Sequence, residues 1–396
     1  MKDKEIIVSL NKIYKESKDE HSIYTPLSLC RDMLSSISTF DGKSILVISN
    51  LEFLIVLKQM GIDMSNVYYT VNCELKKNVA ISLGLDVNKI YNLEYKNKEV
   101  NFNTDMKFDV IVQNPPYNPN SIWSKFVNKA IDQLEDDGQM VAIHPMTWRE
   151  SNKHKKLCNH LKEHISELHI MDYTAFPNIT IKTDWYCYNK NGSNNTNMTY
   201  SNGDTENVDL KSIERILRFS TKSIPYSILQ KITKRNYDNG MILKKGWEKI
   251  NYITPDKDKV KNYYKLCGGK GNGTGWTKGK FSYTKDPCSN QFGAKVVMSY
   301  VGKPRAHYFN DTEQIGVISG YYWLTNNKSL PILLNSKMFW KILGIEIAYW
   351  HAGDPTSLDL NIIRSLNFEN LDVKTEEELY EHYNLTEEEI NWIENN

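Results

Sequence analysis

The chain has 396 residues, 40% of them hydrophobic and 11% aromatic, which suffices for one large or two ordinary globular domains and argues against disorder. Six cysteines stand at 30, 73, 158, 187, 267 and 288 with no Cys-x-x-Cys pair, so neither a disulfide framework nor a zinc site is expected, and no metal ligands are assigned. The formal net charge of +1 does not by itself suggest a polyanionic partner. There is no signal-peptide pattern, and the most apolar stretch, 45–57, is interrupted by Asn50 and Glu52, so a cytoplasmic location is expected.

The first half reads as strands alternating with helices. Thr25-Pro26 opens an amphipathic helix over 27–38. An apolar strand at 44–49 is followed by a helix at 51–60 that ends at Gly61, then by a strand at 67–72 and a helix at 74–84. Further on, 108–113 (Phe-Asp-Val-Ile-Val-Gln) reads as a strand, 121–135 as a helix, 139–144 as a strand, 152–164 as a helix and 167–173 as a strand. This order predicts a parallel, doubly wound α/β sheet, in which ligands bind at the carboxyl ends of the strands. A strand is expected at 181–188. The Asn/Ser/Gly/Thr-rich stretch 189–206 reads as a surface loop or hairpin, and 209–235 as helical.

Beyond about residue 240 the alternation fades and the charge changes sign locally. Between Met241 and Asn310 there are 14 Lys and Arg against 4 Asp and Glu, interleaved with aromatics. That composition suits a surface that neutralises phosphates and stacks on bases, although a solvated lysine-rich face has the same composition. Candidate nucleic-acid contacts are Lys270, Trp276, Lys278, Lys280, Lys285, Lys303 and Arg305. The Gly-rich run 268–275 matches neither phosphate-loop spacing, and a flexible nucleic-acid-contacting loop or a passive linker is expected there. An acidic tail follows, in which Thr375-Glu-Glu-Glu378 and Thr386-Glu-Glu-Glu389 each fit a capping box opening a short helix.

The chemistry concentrates at Asn114-Pro115-Pro116-Tyr117, directly after the strand 108–113. Two consecutive prolines fix φ and remove two backbone donors, leaving carbonyls that can only accept hydrogen bonds. The Asn114 side-chain oxygen and the Pro115 carbonyl can thus hold both hydrogens of a conjugated amine and favour the pyramidal nitrogen that attacks an electrophilic methyl. Tyr117 is suited to stack on a base drawn out of a duplex.

With this loop at a strand end, the chain resembles the adenine-N6 DNA methyltransferases of the class with cofactor motifs first and the target-recognition region last, as in restriction-modification methylases. The resemblance implies a Rossmann-like catalytic domain over 1–240 and a mixed α and β target-recognition domain over 241–396. It further implies S-adenosylmethionine as cofactor, double-stranded DNA as partner and a monomer. Tyr24, Thr25 and Pro26 are similar to the family segment beside the methionine end of the cofactor. His144-Pro145-Met146-Thr147-Trp148-Arg149 resembles the loop shaping the target pocket, and Phe176 resembles the aromatic that packs on the flipped base opposite Tyr117. Leu333 through Trp340 and the acidic tail resemble stretches in the C-terminal regions of such methylases.

The cofactor half departs from the family pattern. Where an Asp and a Gly-rich turn usually follow the first strand, this chain has Ser49-Asn50-Leu51-Glu52-Phe53. Asn50, Glu52 and Phe53 are the candidates for cofactor contact there, with Asn72 or Glu74 at the ribose. Two other functions remain open: methyl transfer to an RNA or protein amide nitrogen, and a DNA-binding pseudoenzyme. No nuclease is expected.

Overall fold

The computed structural model describes residues 24–95, 99–117, 121–150, 154–171, 176, 182–213, 216, 220–234, 237–244, 253–254, 256–259, 264–267, 275–299, 305–318, 320–347 and 360–395. The chain divides into two compact units, Met1–Arg218 and Phe219–Asn396. Residue 241, where the composition changes, falls inside the second unit.

The first unit is a nine-stranded sheet in the order β3-β2-β1-β4-β5-β7-β6-β8-β9. Its strands are β1 (Ile45–Ile48), β2 (Val67–Val71), β3 (Ile90–Asn92), β4 (Phe108–Gln113), β5 (Leu134–Pro145), β6 (Ile165–Ile170), β7 (Thr183–Asn189), β8 (Thr196–Thr199) and β9 (Thr205–Val208). The helices are α1 (Leu27–Ser35), α2 (Leu51–Gln59), α3 (Glu74–Ser82), α4 (Trp123–Asp132), the single turn α5 (Thr147–Glu150) and α6 (Lys155–His164).

Strands β1 to β5 pair in parallel, as the alternating pattern predicts. The expectation of a parallel sheet needs one correction, because β7 runs antiparallel between β5 and β6. Antiparallel neighbours, unlike parallel ones, need no crossover helix between them. The Asn-rich stretch forms the β8–β9 hairpin at the sheet's edge.

Alternation along the strands explains why the sheet is covered on both faces. Ile45 and Val47 pack with Val110, Val112, Val141 and Ile143 against α1, α2 and α3. Leu46 and Ile48 point the other way, joining Ile111, Met140, Ala142 and Tyr186 against α4 and α6. Burial on both sides is the reason β1 and β4 read as continuous apolar runs.

The second unit holds a four-stranded antiparallel sheet and a three-stranded sheet. The first is ordered β10-β16-β13-β14 and the second β12-β11-β15. Their strands are β10 (Ile242–Lys244), β11 (Tyr264–Cys267), β12 (Ser282–Thr284), β13 (Lys295–Met298), β14 (Ala306–Phe309), β15 (Ile315–Val317) and β16 (Gly320–Leu324). At the entry to β16, Gly320 has φ +143°, and a Cβ there would lie 2.8 Å from the Met298 carbonyl oxygen, so only glycine fits.

Its helices are α7 (Ile224–Ile232), α8 (Leu330–Asn335), α9 (Lys337–Ile347), α10 (Leu360–Ser365), α11 (Glu376–His382) and α12 (Glu387–Asn395). The continuous helix expected over 209–235 is corrected here. Among the described residues of that stretch α7 is the helical part, and 209–213 and 220–223 form turns and irregular chain. Ser223 with Pro225 behind it restarts the helix late, a boundary that the apolar pattern alone does not mark.

Both tail helices begin where the capping signals place them. Thr386 and Glu389 exchange reciprocal bonds of 2.7 and 3.2 Å. At α11 the Thr375 hydroxyl accepts from the Glu378 N–H, whereas Glu378 reaches back one residue further, to the Lys374 N–H.

Candidate active site at the ends of β1 and β4

In a doubly wound sheet, the crevice forms where adjacent strands send their connections to opposite faces. Here that point lies between β1, which continues into α2, and β4, which leads to α4 on the other face. Asn50 follows β1 and Asn114 follows β4, so the topology alone brings them together.

A buried chain of hydrogen bonds joins them. The Asn114 backbone N–H donates to the Asn50 Oδ1 at 2.9 Å, and the Asn114 Nδ2 donates to the Thr25 Oγ1 at 2.9 Å. The Thr25 N–H in turn donates to the Glu52 Oε1 at 3.1 Å. Asn114, Asn50, Thr25 and Glu52 are 3%, 2%, 0% and 0% exposed, so these bonds form away from competing water.

The directions are physically constrained. A backbone N–H can only donate, so Asn50 must turn its oxygen toward Asn114. With the Asn114 nitrogen on Thr25, its Oδ1 is turned to the opposite side of the amide as an acceptor. Asn50 is the N-cap residue of α2, yet its side chain makes no capping bond to that helix. A capping asparagine stabilises a helix by about 0.5–2 kcal/mol. Here that contribution is diverted to hold Asn114, a sacrifice of local stability that marks functional sites.

The missing glycine after β1 is replaced by a strained serine. Ser49 has φ +60°, the left-handed region, and its N–H donates to the Thr70 carbonyl at 3.0 Å. The turn therefore has a glycine-like backbone with a side chain attached. Ser49→Gly is expected to raise stability by up to about 1.5 kcal/mol, because left-handed backbone costs a non-glycine residue about 1–2 kcal/mol and glycine's extra chain entropy takes back about 0.5–1. Thermal unfolding checks this, and a lowered midpoint would mean that the Ser49 hydroxyl contributes more than its strain costs.

Tyr117 is 5% exposed, and its hydroxyl has no hydrogen-bond partner among the described residues. Burial raises its pKa far above the ordinary phenol value, so it stays neutral. Phe176, expected to oppose it, lies in the core cluster with Trp185 and Cys187. The loop after β5 is locked inward. His144 stacks on Trp123 at 4.4 Å and shares a 2.9 Å bond with the Tyr186 hydroxyl, and burial pushes its pKa down to about 3. Asp184 Oδ2 accepts from Trp148 Nε1 at 2.9 Å and from Arg149 Nε at 2.7 Å.

The cofactor candidates separate into two groups. Asn72 and Glu74 are exposed after β2, beside β1, where a ligand crossing the strand ends would meet them. Asn72 donates to the Tyr95 hydroxyl at 3.3 Å, and Glu74 opens α3. Glu52 and Phe53 do not face solvent. Glu52 holds Thr25, and Phe53, expected to contact a cofactor, is wholly buried in the core cluster beside it. Tyr24 and Pro26 flank Thr25 and are partly exposed.

In the second unit, Lys278, Lys280, Lys285 and Arg305 are exposed. Trp276, expected among the DNA contacts, is 4% exposed and packs on Phe309 at 6.1 Å. Lys270, Lys303 and the Gly-rich run through residue 274 lie outside the described residues. Asn335, in the stretch 333–340, has a role that no sequence signal marks. Its side chain bonds both the N–H and the carbonyl of Ala306, pinning β14.

Comparison with known proteins places this geometry in context. The Eco57I restriction-modification methylase family matches residues 43–180, a span containing the ends of β1, β2, β4 and β5. No curated protein matches the chain. A type I restriction-modification methyltransferase subunit from Streptococcus thermophilus is similar in structure at 16% identity and a TM-score of 0.39, over 50% of this chain and 52% of that one. The type IIL restriction-modification enzyme MmeI, solved in complex with DNA, gives 10% identity and a TM-score of 0.45 over 83% of this chain and 62% of its own. The M protein of the type I restriction enzyme EcoKI gives 12% and 0.36 over 49% and 47%. The chain thus spans about half the length of the first of these structures.

Proposed function

We propose that this chain is an S-adenosylmethionine-dependent DNA methyltransferase that modifies the N6 amine of adenine. The observation that carries the reading is the buried link from Asn50 through Asn114 to Thr25, which ties the strand end suited to a cofactor to the residue suited to grip an amine. The match of the methylase family to residues 43–180 supports it independently.

The residues fit the cofactor in chemistry. Asn72 and the exposed Glu74 carboxylate suit ribose hydroxyls, and the left-handed turn at Ser49 permits close backbone approach. Tyr24 to Pro26 would cover the methionine end, with Glu52 acting through Thr25 as a positioning residue. S-adenosylmethionine supplies an electrophilic methyl on a sulfonium. Asn114 Oδ1 and the Pro115 carbonyl accept the two amino hydrogens, concentrating the lone pair on nitrogen, and Tyr117 stacks on the extruded base. Pro116 keeps the loop rigid and donor-free.

The test is sequencing that detects modified bases in DNA from a host expressing the chain. N6-methyladenine at a recurring short context is the expected result. Unmodified DNA, together with no S-adenosylmethionine binding by calorimetry, would favour a DNA-binding pseudoenzyme, consistent with Asn50 and Glu52 being turned onto the protein itself.

The exposed lysines of the second unit supply the phosphate contacts in this reading. Charge reversal of Lys278 and Lys280 is expected to weaken DNA binding and to flatten its salt dependence, each lost phosphate contact removing about 0.9 from the slope. Fluorescence anisotropy across a salt series measures it, and an unchanged slope would remove both lysines from the interface.

A further inference from the structure

We infer that His160, Glu163 and His164, at the end of α6, form a binding site for a divalent transition-metal cation, with zinc as the first occupant to test. Each offers one ligand atom, and the three atoms lie within 4.8 Å of one another. The i, i+3, i+4 spacing places them on one helical face. That spacing is legible in the sequence, but the cysteine positions that argue against zinc carry no trace of it.

The surroundings of the two imidazoles are those of metal ligands. The His164 Nδ1 stands 2.9 Å from the Asn189 carbonyl oxygen. A carbonyl only accepts, so Nδ1 carries the proton and Nε2 presents its lone pair. The His160 Nε2 is 3.0 Å from the Tyr188 hydroxyl, which leaves Nδ1 for an ion. Tyr188 also stacks on His164 at 4.9 Å and fixes its ring plane. The two histidine rings are 4.5 Å apart.

Two imidazoles and a carboxylate suit zinc, copper or nickel rather than magnesium or calcium. Ligands around a tetrahedral ion with bonds of about 2.0–2.1 Å stand closer together than 4.8 Å, so binding would draw the exposed Glu163 inward. The fourth position would remain for water. Since α6 ends where β6 begins, the site lies at the amino end of β6, at the end of the strands opposite the Asn50–Asn114 link. A bound ion would clamp α6 to β7 through Tyr188 and Asn189.

The test uses the full chain freed of metal by a chelator and titrated with zinc chloride alone at neutral pH. Binding at micromolar concentration with a raised unfolding midpoint is the expected result. His164→Gln should weaken it by at least about tenfold, with a smaller loss for Glu163→Gln. Cobalt(II) gives a second readout, since its visible spectrum intensifies on four-coordinate binding and should do so less in either variant. Because Glu163 is exposed, its variant keeps the test valid if His164→Gln folds poorly. Absence of zinc binding to the unaltered chain would overturn the proposal, as would affinities and cobalt spectra in both variants that match those of the unaltered chain.

Discussion

Asn114→Ala is expected to reduce methyl transfer by about a hundred- to a thousandfold, the range seen when one preorganised polar contact to a reacting group is removed. DNA affinity should stay nearly unchanged, because the lysines proposed to contact phosphates sit in the second unit and do not depend on the proposed amine grip. The loss should appear in kcat with little change in KM for DNA, the signature of an interaction that matters most in the transition state. A structural explanation competes, since the substitution also removes a buried bond to Thr25. Leaving the Thr25 oxygen without that donor costs about 1–3 kcal/mol. Urea unfolding separates the two: a folded variant that binds DNA and transfers no methyl group supports the assigned role. A folded variant that still transfers methyl groups refutes it. The Asn50–Asn114 bond runs through the Asn114 backbone N–H, so alanine preserves it and the loop need not collapse.

The ends of β1 and β4 were legible because fully buried parallel strands leave unbroken apolar runs, and because a Pro-Pro turn stops a strand at a fixed residue. The position of Asn114 could therefore be read from sequence. What Asn50 does could not. Asparagine before a helix reads as a cap, and only the three-dimensional approach of β4 shows its oxygen drawn away from α2. Ser49 hid its left-handed backbone for a related reason, since the glycine that usually announces such a turn is absent. The burial of Glu52 and Phe53 was not legible, because α2 is buried continuously over Leu51 to Leu57 and no polar face marks which residues of its first turn lie toward the strand ends. In the second unit the strands have three to five residues, too short for a period-2 pattern to emerge, and Trp276 reads equally well as a core residue or a stacking surface.

Arg149→Met is expected to cost about 3–5 kcal/mol, the penalty for leaving one member of a buried ion pair without its partner. The side chains of Arg149 and Asp184 are each 1% exposed and meet at 2.7 Å. Arg149 Nη1 also donates to the Ile216 carbonyl at 2.7 Å, so its loss removes a second buried bond. Against a typical stability of about 5–15 kcal/mol this is a large fraction, and urea unfolding should show a lower midpoint at similar slope. The double variant Arg149→Met/Asp184→Asn tells whether charge is the cause. If an uncompensated carboxylate dominates, the double variant is more stable than Arg149→Met alone, because the amide oxygen introduced at position 184 can still accept from Trp148. If lost packing and the Ile216 bond dominate, the second substitution brings no recovery. The consequence reaches the proposed site: Asp184 lies on β7 opposite His144 of β5, and with Trp148 and Arg149 it anchors the chain leaving β5, next to the strand that ends at Asn114. Loosening that anchor should lower methyl transfer by way of KM for DNA, whereas loss of the Asn114 side chain lowers kcat. The two variants thereby distinguish shaping of the target pocket from activation of the amine.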